Sequence, residues 1–166
     1  MKTPPKYDLA QTPTPIQFLS RLTERFRGPE IFVKRDDLTG LGMSGNKVRK
    51  LEFLFAEALD AGAEVILTCG GLQSNHSRAT AVAAARAGVK SHLFLRRGTQ
   101  GEIDGNLLLD RLVGAEITFI TEDEYASVDD RMAEQVKRYG EQGVNAYVIP
   151  EGGSNAYIIV GNRTRI

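Results

Sequence analysis

A glycine-rich stretch, residues 38–46 (LTGLGMSGN), leads directly into Lys47, where a helical pattern begins. The start of a helix carries positive partial charge, so a cation there is disfavoured by a few tenths of a kcal/mol to about 1 kcal/mol. The simplest interpretation is a lysine that points into solvent. The alternative is a Schiff-base lysine, whose amine becomes nucleophilic when desolvation or nearby cations favour its neutral form. The helix start and the neighbours Arg49 and Lys50 favour this alternative, and the local pattern leaves both open.

A second candidate lies in residues 68–80 (TCGGLQSNHSRAT), which join a predicted buried strand to a predicted helix. Gly70 and Gly71 are expected to let the backbone turn sharply. Backbone N–H groups and short polar side chains at a helix start can bind a carboxylate or a phosphate. The simpler interpretation is that one side chain caps the helix. Capping needs fewer polar residues than the four found here, so an anion site remains a hypothesis: Ser74, Asn75, His76 and Ser77.

Other residues with chemical potential have simpler interpretations. Cys69, at the end of a strand pattern, is interpreted as a small buried apolar residue rather than a nucleophile. His92 is interpreted as an ordinary exposed or half-buried side chain, and Gly105 and Asn106 as part of a loop. One cysteine and two distant histidines do not predict a metal site. The nucleotide-binding motifs G-x-G-x-x-G and the Walker lysine loop are absent from the sequence.

Strand and helix patterns alternate along most of the chain and must position these residues. Such alternation predicts right-handed crossovers and an α/β fold, with an open parallel sheet and helices on both faces. Ligands of such sheets bind at the carboxyl ends of the strands. Predicted strands are 30–34, 64–69, 91–96, 116–120 and 146–150; predicted helices are 16–27, 46–61, 75–87, 104–113 and 129–142. Asn46 is the predicted N-cap of the helix that carries Lys47, and residues 1–15, with four of the six prolines, predict an extended arm.

The composition excludes several classes of partner. The chain has 166 residues, a formal net charge of zero and 42% hydrophobic residues, as expected for one globular domain of ordinary size. No basic excess indicates nucleic-acid binding, and no apolar run is long enough for a membrane-spanning helix. The N-terminus lacks the apolar core of a signal peptide. With a single cysteine, a cytoplasmic location is expected.

Two long segments resemble a known enzyme family. Residues 33–59 (VKRDDLTGLGMSGNKVRKLEFLFAEAL) and 66–88 (ILTCGGLQSNHSRATAVAAARAG) closely resemble the D-cysteine desulfhydrase and 1-aminocyclopropane-1-carboxylate deaminase family, whose relatives include an L-cysteate sulfo-lyase. Residues 149–156 (IPEGGSNA) also resemble it. Members are pyridoxal-phosphate enzymes with the fold of the tryptophan synthase β chain. The resemblance runs from about residue 7 to residue 156.

The resemblance implies a role for each candidate residue. Lys47 matches the lysine that holds pyridoxal 5'-phosphate covalently and later moves the α-proton of the substrate. Asn75 matches the residue that hydrogen-bonds the ring oxygen of the cofactor, and Asn46 matches the position before the lysine. Ser74 is expected to take part in catalysis and, together with its neighbours, to bind the substrate carboxylate: Gln73, Asn75, His76 and Ser77.

The chain also departs from the family, whose members are about twice as long. The resemblance divides it into 1–49, a segment of the large cofactor-binding domain; 50–150, the small α/β domain; and 151–166, a truncated return to the large domain. Residues 157–166 do not match the family's continuation. The implied missing parts are the phosphate-binding loop, the partner of the pyridine nitrogen and a tyrosine near the substrate. Residues 1–49 and 151–166 are therefore expected to be mobile or to self-associate.

The implied reaction is an elimination, in which the cofactor acts as an electron sink. The desulfhydrase branch converts D-cysteine to pyruvate, ammonia and hydrogen sulfide, whereas the deaminase branch opens a cyclopropane ring and a third branch acts on L-cysteate. The expected partner is a small amino acid, and full-length relatives are typically homodimers. This chain is expected to be weakly active or inactive by itself. The alternative is a non-catalytic α/β module that binds a small carboxylate.

Overall fold

The computed structural model describes residues 4–40, 42, 45–97 and 103–153. Within these residues the chain forms a two-stranded sheet followed by a four-stranded sheet with helices between its strands. The strands are β1 (Ile16–Phe18), β2 (Phe32–Lys34), β3 (Val65–Gly71), β4 (Lys90–Arg96), β5 (Glu116–Ile120) and β6 (Ala146–Val148). The helices are α1 (Ser20–Phe26), α2 (Asn46–Asp60), α3 (Asn75–Ala87), α4 (Gly105–Leu112), α5 (Glu122–Tyr125) and α6 (Val128–Glu141).

The larger sheet has the strand order β5-β4-β3-β6, and all its neighbouring strands are parallel. Val65 of β3 is in register with Lys90 of β4 on one side and with Ala146 of β6 on the other. Each connection between parallel strands needs a crossover, which the intervening helices supply. The predicted α/β class with an open parallel sheet is confirmed.

The two faces of this sheet bury different sets of apolar side chains, because successive residues of a strand point to opposite faces. On one face, Ile66 packs in a cluster with residues of α2 and α3. On the other face, Leu67 and Cys69 pack with Met132 of α6. The sheet is thus covered on both sides, as the alternating pattern predicted. At the carboxyl ends of its strands, loops lead into the following helices.

The N-terminal part differs from the prediction of one amphipathic helix over 16–27. Residues Ile16–Phe18 form β1, which pairs antiparallel with β2, and only Ser20–Phe26 are helical. The rings of Phe18 and Phe32 lie 5.3 Å apart across the two strands. Cross-strand aromatic contacts of this kind stabilise a strand pair, and a search for helical spacing within one segment does not detect them. The predicted helix was therefore wrong at its beginning.

The proline-rich arm is anchored on α2. The backbone N–H of Tyr7 donates to the carbonyl of Glu52 at 2.8 Å, and the N–H of Ala10 donates to its carboxylate at 3.0 Å. Lys6 forms an ion pair with the same carboxylate at 2.7 Å. Leu9 is buried in the cluster beneath α2. This part of residues 1–49 therefore packs on the α/β unit, and the packing crosses the proposed domain boundary at residue 50. The expected mobility of residues 1–49 stays a prediction.

Two further differences concern element ends. A separate short helix, α5, precedes α6, and Thr121 and Glu124 close its start with reciprocal hydrogen bonds. After β6, residues Glu151–Gly153 form a 3-10 turn. Residues 154–166, which include the predicted atypical tail, lie outside the described residues. No helix in the described part of the chain is long and apolar enough to span a membrane.

Candidate functional site

Lys47 lies in the first turn of α2. The N-cap of this helix is Gly45, whose φ of 101° is a conformation that residues with a side chain rarely adopt. Asn46 is the first helical residue and is exposed, and the helix start has no side-chain capping bond. The prediction that Asn46 is the N-cap was therefore wrong by one position. Lys47 itself is half-buried.

The start of α2 is anchored to the preceding 3-10 helix, Asp36–Leu38. The N–H of Gly45 donates to the carbonyl of Asp36 at 2.9 Å. The guanidinium of Arg49 donates to the Asp36 carboxylate at 2.9 and 2.7 Å. This hydrogen bonding to Arg49 lowers the pKa of Asp36. The charge of Arg49 is therefore paired with Asp36. This contact fixes the position of the helix start from which the Lys47 side chain projects.

The 3-10 turn after β6 approaches the amine of Lys47. A Cβ atom on Gly152 would lie 3.7 Å from Lys47 Nζ, and the backbone there is left-handed with φ of 67°. Lys50, one turn further along α2, donates from Nζ to the carbonyl of Gly152 at 3.2 Å. Burial lowers the pKa of Lys50, and the charge of Lys47 lowers it further. Two amines therefore converge on one glycine turn at the carboxyl end of β6.

His76 lies beside the same turn and is 4% exposed. Its Nε2 is 3.0 Å from Thr68 Oγ1, which donates its proton to the carbonyl of Ile149 at 2.8 Å. Thr68 can therefore only accept from the ring, which places the ring proton on Nε2. Burial, followed by the charges of Lys47 and Lys50, lowers the pKa of His76 to about 4. At neutral pH, His76 is an uncharged ring.

The other ring nitrogen of His76 lies at the glycine turn. Nδ1 is buried and makes no hydrogen bond of good geometry within the described residues, although a contact of the ring with the Pro150 backbone acts against burial by raising the pKa of His76. A Cβ on Gly153 would lie 3.1 Å from the Cε1 atom of the ring and 3.5 Å from Nδ1. The absence of a side chain at Gly153 thus allows this turn to approach the ring closely.

Ser74 is the N-cap of α3, and its Oγ accepts from the N–H of Ser77 at 3.1 Å. The capping prediction is confirmed for Ser74. The Ser77 side chain is fully buried, and a Cβ on Gly70 would lie 2.6 Å from the Oγ atoms of both serines. Gly70 and Gly71 are the last residues of β3 rather than a sharp turn. Gly70 is needed for the close approach of α3, so the predicted reason for this glycine was wrong.

Gln73 and Asn75 are exposed and are bound by the start of α4. The side-chain amide of Asn106 donates to the backbone carbonyl of Gln73 at 2.8 Å and to Asn75 Oδ1 at 3.0 Å. Gln73 Oε1 accepts from the N–H of Asn106 at 2.8 Å, and its Nε2 donates to the Asp104 carboxylate at 3.0 Å. A Cβ on Gly105 would lie 2.6 Å from Gln73 Oε1. Asn106 is therefore part of the site region, although the sequence was interpreted as a loop here.

Apart from Asn46, which is exposed at the start of α2, the predicted residues fall into three groups. Lys47 and His76 meet at the glycine turn, whereas Gln73, Ser74 and Asn75 lie at the start of α3. Ser77 is buried beneath them. Sequence reasoning missed the residues that support these groups: Asp36, Thr68, Asn106, Gly152 and Gly153. The glycine doublet after β6 and the Gly-Asn pair at a helix start were visible signals for three of them.

Cys69 and His92, which were given simpler interpretations, have different outcomes. Cys69 is buried, and burial raises the pKa of its thiol to about 11, so it is the inert core residue that was predicted. His92 is also buried, contrary to the prediction. Its ring contacts Thr118 Oγ1 at 2.8 Å and the Tyr139 hydroxyl at 3.1 Å, and these polar partners make its burial possible.

Comparison with known proteins identifies relatives over almost the whole chain. A D-cysteine desulfhydrase of Yersinia enterocolitica is 43% identical over 95% of this chain. A bifunctional D-cysteine desulfhydrase/1-aminocyclopropane-1-carboxylate deaminase of Arabidopsis thaliana is 45% identical over 90%. A Thermotoga maritima protein named as a candidate 1-aminocyclopropane-1-carboxylate deaminase is 54% identical over 91%. This chain covers 48%, 39% and 48% of these proteins respectively, so it spans about half their length or less.

Solved structures give the same result. The crystal structure of an ACC deaminase homologue matches 95% of this chain with a TM-score of 0.83 and 38% identity, and the match covers 48% of that structure. An L-serine ammonia-lyase of Rhizomucor miehei matches with a TM-score of 0.68 at 18% identity, which supports the shared fold alone.

The profile of one protein family matches nearly the full length of the sequence. It covers residues 7–166 and therefore extends past residue 156, where the resemblance recognised in the sequence ended. The family is described as that of the pyridoxal-phosphate-dependent enzymes. The match confirms the resemblance and the cofactor class that it implied. This chain belongs to the pyridoxal-phosphate-dependent enzyme family.

Proposed function

We propose that this chain is the lysine-bearing part of a pyridoxal-phosphate-dependent lyase that performs an elimination on a small amino acid. We propose D-cysteine as the substrate, with pyruvate, ammonia and hydrogen sulfide as products. The observation that carries the proposal is the position of Lys47 Nζ beside Gly152, at a turn where the uncharged ring of His76 is also buried. Parallel sheets bind their ligands at the carboxyl ends of the strands, and this turn directly follows β6.

The residues around Lys47 fit pyridoxal phosphate on this side. The amine reaches a turn of two glycines, which add no side chain of their own beside it. His76 is held neutral, so it adds no charge next to the amine. The start of α3 carries backbone N–H groups and polar side chains suited to an anion. In this proposal Lys47 holds the cofactor covalently, and Asn75 donates a hydrogen bond to its ring oxygen.

The chain's own residues have distinct tasks in the proposed reaction. Pyridoxal phosphate, when bound, would withdraw electrons from the α-carbon of the substrate. The Lys47 amine would take the α-proton once the amino group of the substrate has replaced it on the cofactor. Gln73, Ser74 and Asn75 bind the substrate carboxylate at the start of α3. We assign His76 and Ser77, which are buried, to support beneath that start rather than to direct contact with substrate.

The first test is covalent labelling with pyridoxal phosphate, compared between the wild type, Lys47→Ala and Lys50→Ala. Lys50 is the matched control because it lies on the same helix and reaches the same glycine turn. We expect a visible absorption band in the wild type and in Lys50→Ala, and its loss in Lys47→Ala. Borohydride reduction followed by peptide mass mapping should locate the label on Lys47.

Two outcomes would contradict the proposal. A label on Lys50 with Lys47 unmodified would mean that the amine was assigned wrongly. A label scattered over surface lysines would mean that the described residues do not form a cofactor site. The non-catalytic module that binds a small carboxylate would then be the better interpretation.

The choice of substrate needs a separate measurement. Titration of the chain carrying unreduced pyridoxal phosphate with D-cysteine, 1-aminocyclopropane-1-carboxylate and L-cysteate should change the visible spectrum at the lowest concentration for D-cysteine. L-Cysteine serves as the control for the configuration at the α-carbon. A stronger response to the cyclopropane acid would favour the deaminase branch, and a stronger response to cysteate the sulfo-lyase branch.

Three more expectations follow from the same resemblance and are proposals as well. They are the division at residues 49/50 and 150/151, a homodimer for longer forms of the protein and a cytoplasmic location. The single buried cysteine is consistent with the last of these.

A further inference from the structure

The start of α4 contacts the start of α3 through a small polar network. The side-chain amide of Asn106 makes two hydrogen bonds of this network, donating to the backbone carbonyl of Gln73 at 2.8 Å and to Asn75 Oδ1 at 3.0 Å. The side chain of Gln73 accepts the backbone N–H of Asn106 at 2.8 Å and donates to the Asp104 carboxylate at 3.0 Å. The two helix starts are therefore joined by several bonds in both directions.

These bonds fix the orientation of the Asn106 side chain. A backbone carbonyl can only accept, so the atom of Asn106 that meets the Gln73 carbonyl must be Nδ2. The amide nitrogen carries two protons, and its second proton is directed to Asn75. A rotated Asn106 would place its own oxygen against the carbonyl oxygen of Gln73.

The orientation of Asn75 follows from that of Asn106. Its Oδ1 accepts from Asn106 and also lies 3.5 Å from Nη2 of Arg78, which has protons but no acceptor. A rotated Asn75 would bring its NH2 group against two donors. The side-chain oxygen of Asn75, Oδ1, therefore faces Asn106 and Arg78. The side-chain nitrogen, Nδ2, points away from these two residues and is the atom that can donate to a ligand.

We propose that Asn106 is a positioning residue, which acts through Asn75 by making its NH2 group the donor offered to an anionic ligand oxygen. This inference rests on the proposed function, in which that oxygen belongs to pyridoxal phosphate held by Lys47. Asn106 does not touch the cofactor. Its role is to prevent the Asn75 amide from rotating and presenting an oxygen to another oxygen.

The first experiment needs no cofactor. Side-chain amide resonances of the cofactor-free chain are assigned by NMR, and their exchange with water is measured. We expect slow exchange for the hydrogen-bonded amide protons of Asn106 and fast exchange for those of Asn75. In Asn106→Asp the new carboxylate can only accept, so the Asn75 amide should rotate and its protons should become protected. Protected Asn75 amide protons in the wild type would overturn the proposal, whether or not the chain binds pyridoxal phosphate.

The second experiment uses the bound cofactor as a spectroscopic probe. A donor to the ring oxygen stabilises its negative charge, so loss of that donor should raise the pH midpoint of the visible absorbance change. Hydrogen bonds to charged groups are strong enough that we expect a shift of about one pH unit or more in Asn106→Asp. Asn106→Ala, which removes the bond without adding an acceptor, should shift the midpoint less.

Asn145→Asp is the matched control. The side-chain amide of Asn145 also donates to a backbone carbonyl, that of Ala61 at 2.7 Å. Asn145 directly precedes β6 and therefore lies at the amino end of the sheet. The same substitution there adds the same charge and should leave the midpoint unchanged. An unchanged midpoint in Asn106→Asp, with the label still on Lys47, would contradict the positioning role alone. Absence of a Lys47 label in the wild type would instead contradict the proposed function, and the NMR result would then decide the orientation of Asn75.

Discussion

At the scale of single residues, two adjacent glycines at the end of β3 have different surroundings. A Cβ on Gly70 would lie 2.6 Å from the Oγ atoms of Ser74 and Ser77, whereas a Cβ on Gly71 would have no atom within 4 Å. The first glycine lets the start of α3 approach the strand. The second is placed where a methyl group meets open space.

We predict that Gly70→Ala destabilises the protein by about 1–3 kcal/mol, the usual cost of inserting a group into a filled space. Both serines would have to move, and one of them caps α3. Gly71→Ala is the matched control and should change the free energy of unfolding by less than about 0.5 kcal/mol. Denaturant unfolding of the two variants measures the difference. Equal stability would mean that α3 has room to shift away from β3.

At the scale of elements, the start of α2 depends on an acid that lies earlier in the chain. Asp36 accepts the N–H of Gly45 through its carbonyl and two bonds from Arg49 through its carboxylate. A helix that begins at a glycine with positive φ has no side-chain cap of its own. This tertiary anchor therefore takes the place of a cap in fixing the helix start that carries Lys47.

We predict that Asp36→Asn destabilises the protein by about 1 kcal/mol, since a charged hydrogen bond to a partly buried guanidinium is weakened. The neighbouring substitution Asp37→Asn is the control. Asp37 pairs with Arg35 on the exposed side of the 3-10 helix, and the loss of this ion pair should not be measurable. Thermal or denaturant unfolding compares the two. A larger effect at Asp37 would contradict the anchoring role of Asp36.

The same pair predicts a pH dependence. Arg49 lowers the pKa of Asp36 in the folded protein, so the folded state favours the charged carboxylate. The stabilisation is therefore complete above the ordinary carboxyl pKa of about 3.9 and is lost as the pH falls through the lowered value. The stability difference between wild type and Asp36→Asn should accordingly shrink below about pH 4. A difference that grows on acidification would show that the carboxylate is not the stabilising form.

At the scale of the whole molecule, burial is distributed unevenly. β3 is buried along nearly all its length, whereas β1 and α1 have no buried residue. Large apolar side chains remain exposed there, among them Ile16, Phe26 and Phe32. Segments with few buried contacts open at a lower free energy than the core.

We predict that amide hydrogens of residues 16–34 exchange on the order of tenfold faster, or more, than those of residues 65–71 and 90–96. Hydrogen-exchange mass spectrometry of the cofactor-free chain gives both values in one experiment, so the core strands are the internal control. Equal protection in the two regions would contradict the prediction. It would mean that the exposed apolar side chains are covered, for example by a second copy of the chain, and sedimentation at several concentrations would detect such an assembly.

Much of the fold could be predicted, but less of the site. The strand at 116–120 and the helix at 75–87 match the observed bounds, because each has a strong local pattern beside a glycine, Gly114 before the strand and Gly88 after the helix. The predicted helix over 16–27 failed because β1 depends on pairing with β2. Ser74 was a recognisable cap, whereas the burial of His92 depends on Thr118 and Tyr139 from other elements.

The alternation of elements, the parallel α/β class and the family can be inferred from the sequence alone, as can Lys47 and the polar helix start as candidates for the chemistry. These features follow from local periodicity and from contiguous motifs. Three features appear only in the folded chain: Lys47 reaches the turn at Gly152, His76 is buried and uncharged, and Asn106 is hydrogen-bonded to Asn75. Each of these depends on contacts between residues far apart in the chain. Such contacts leave no local pattern, because they arise only when the parallel sheet brings the carboxyl ends of its strands to one edge.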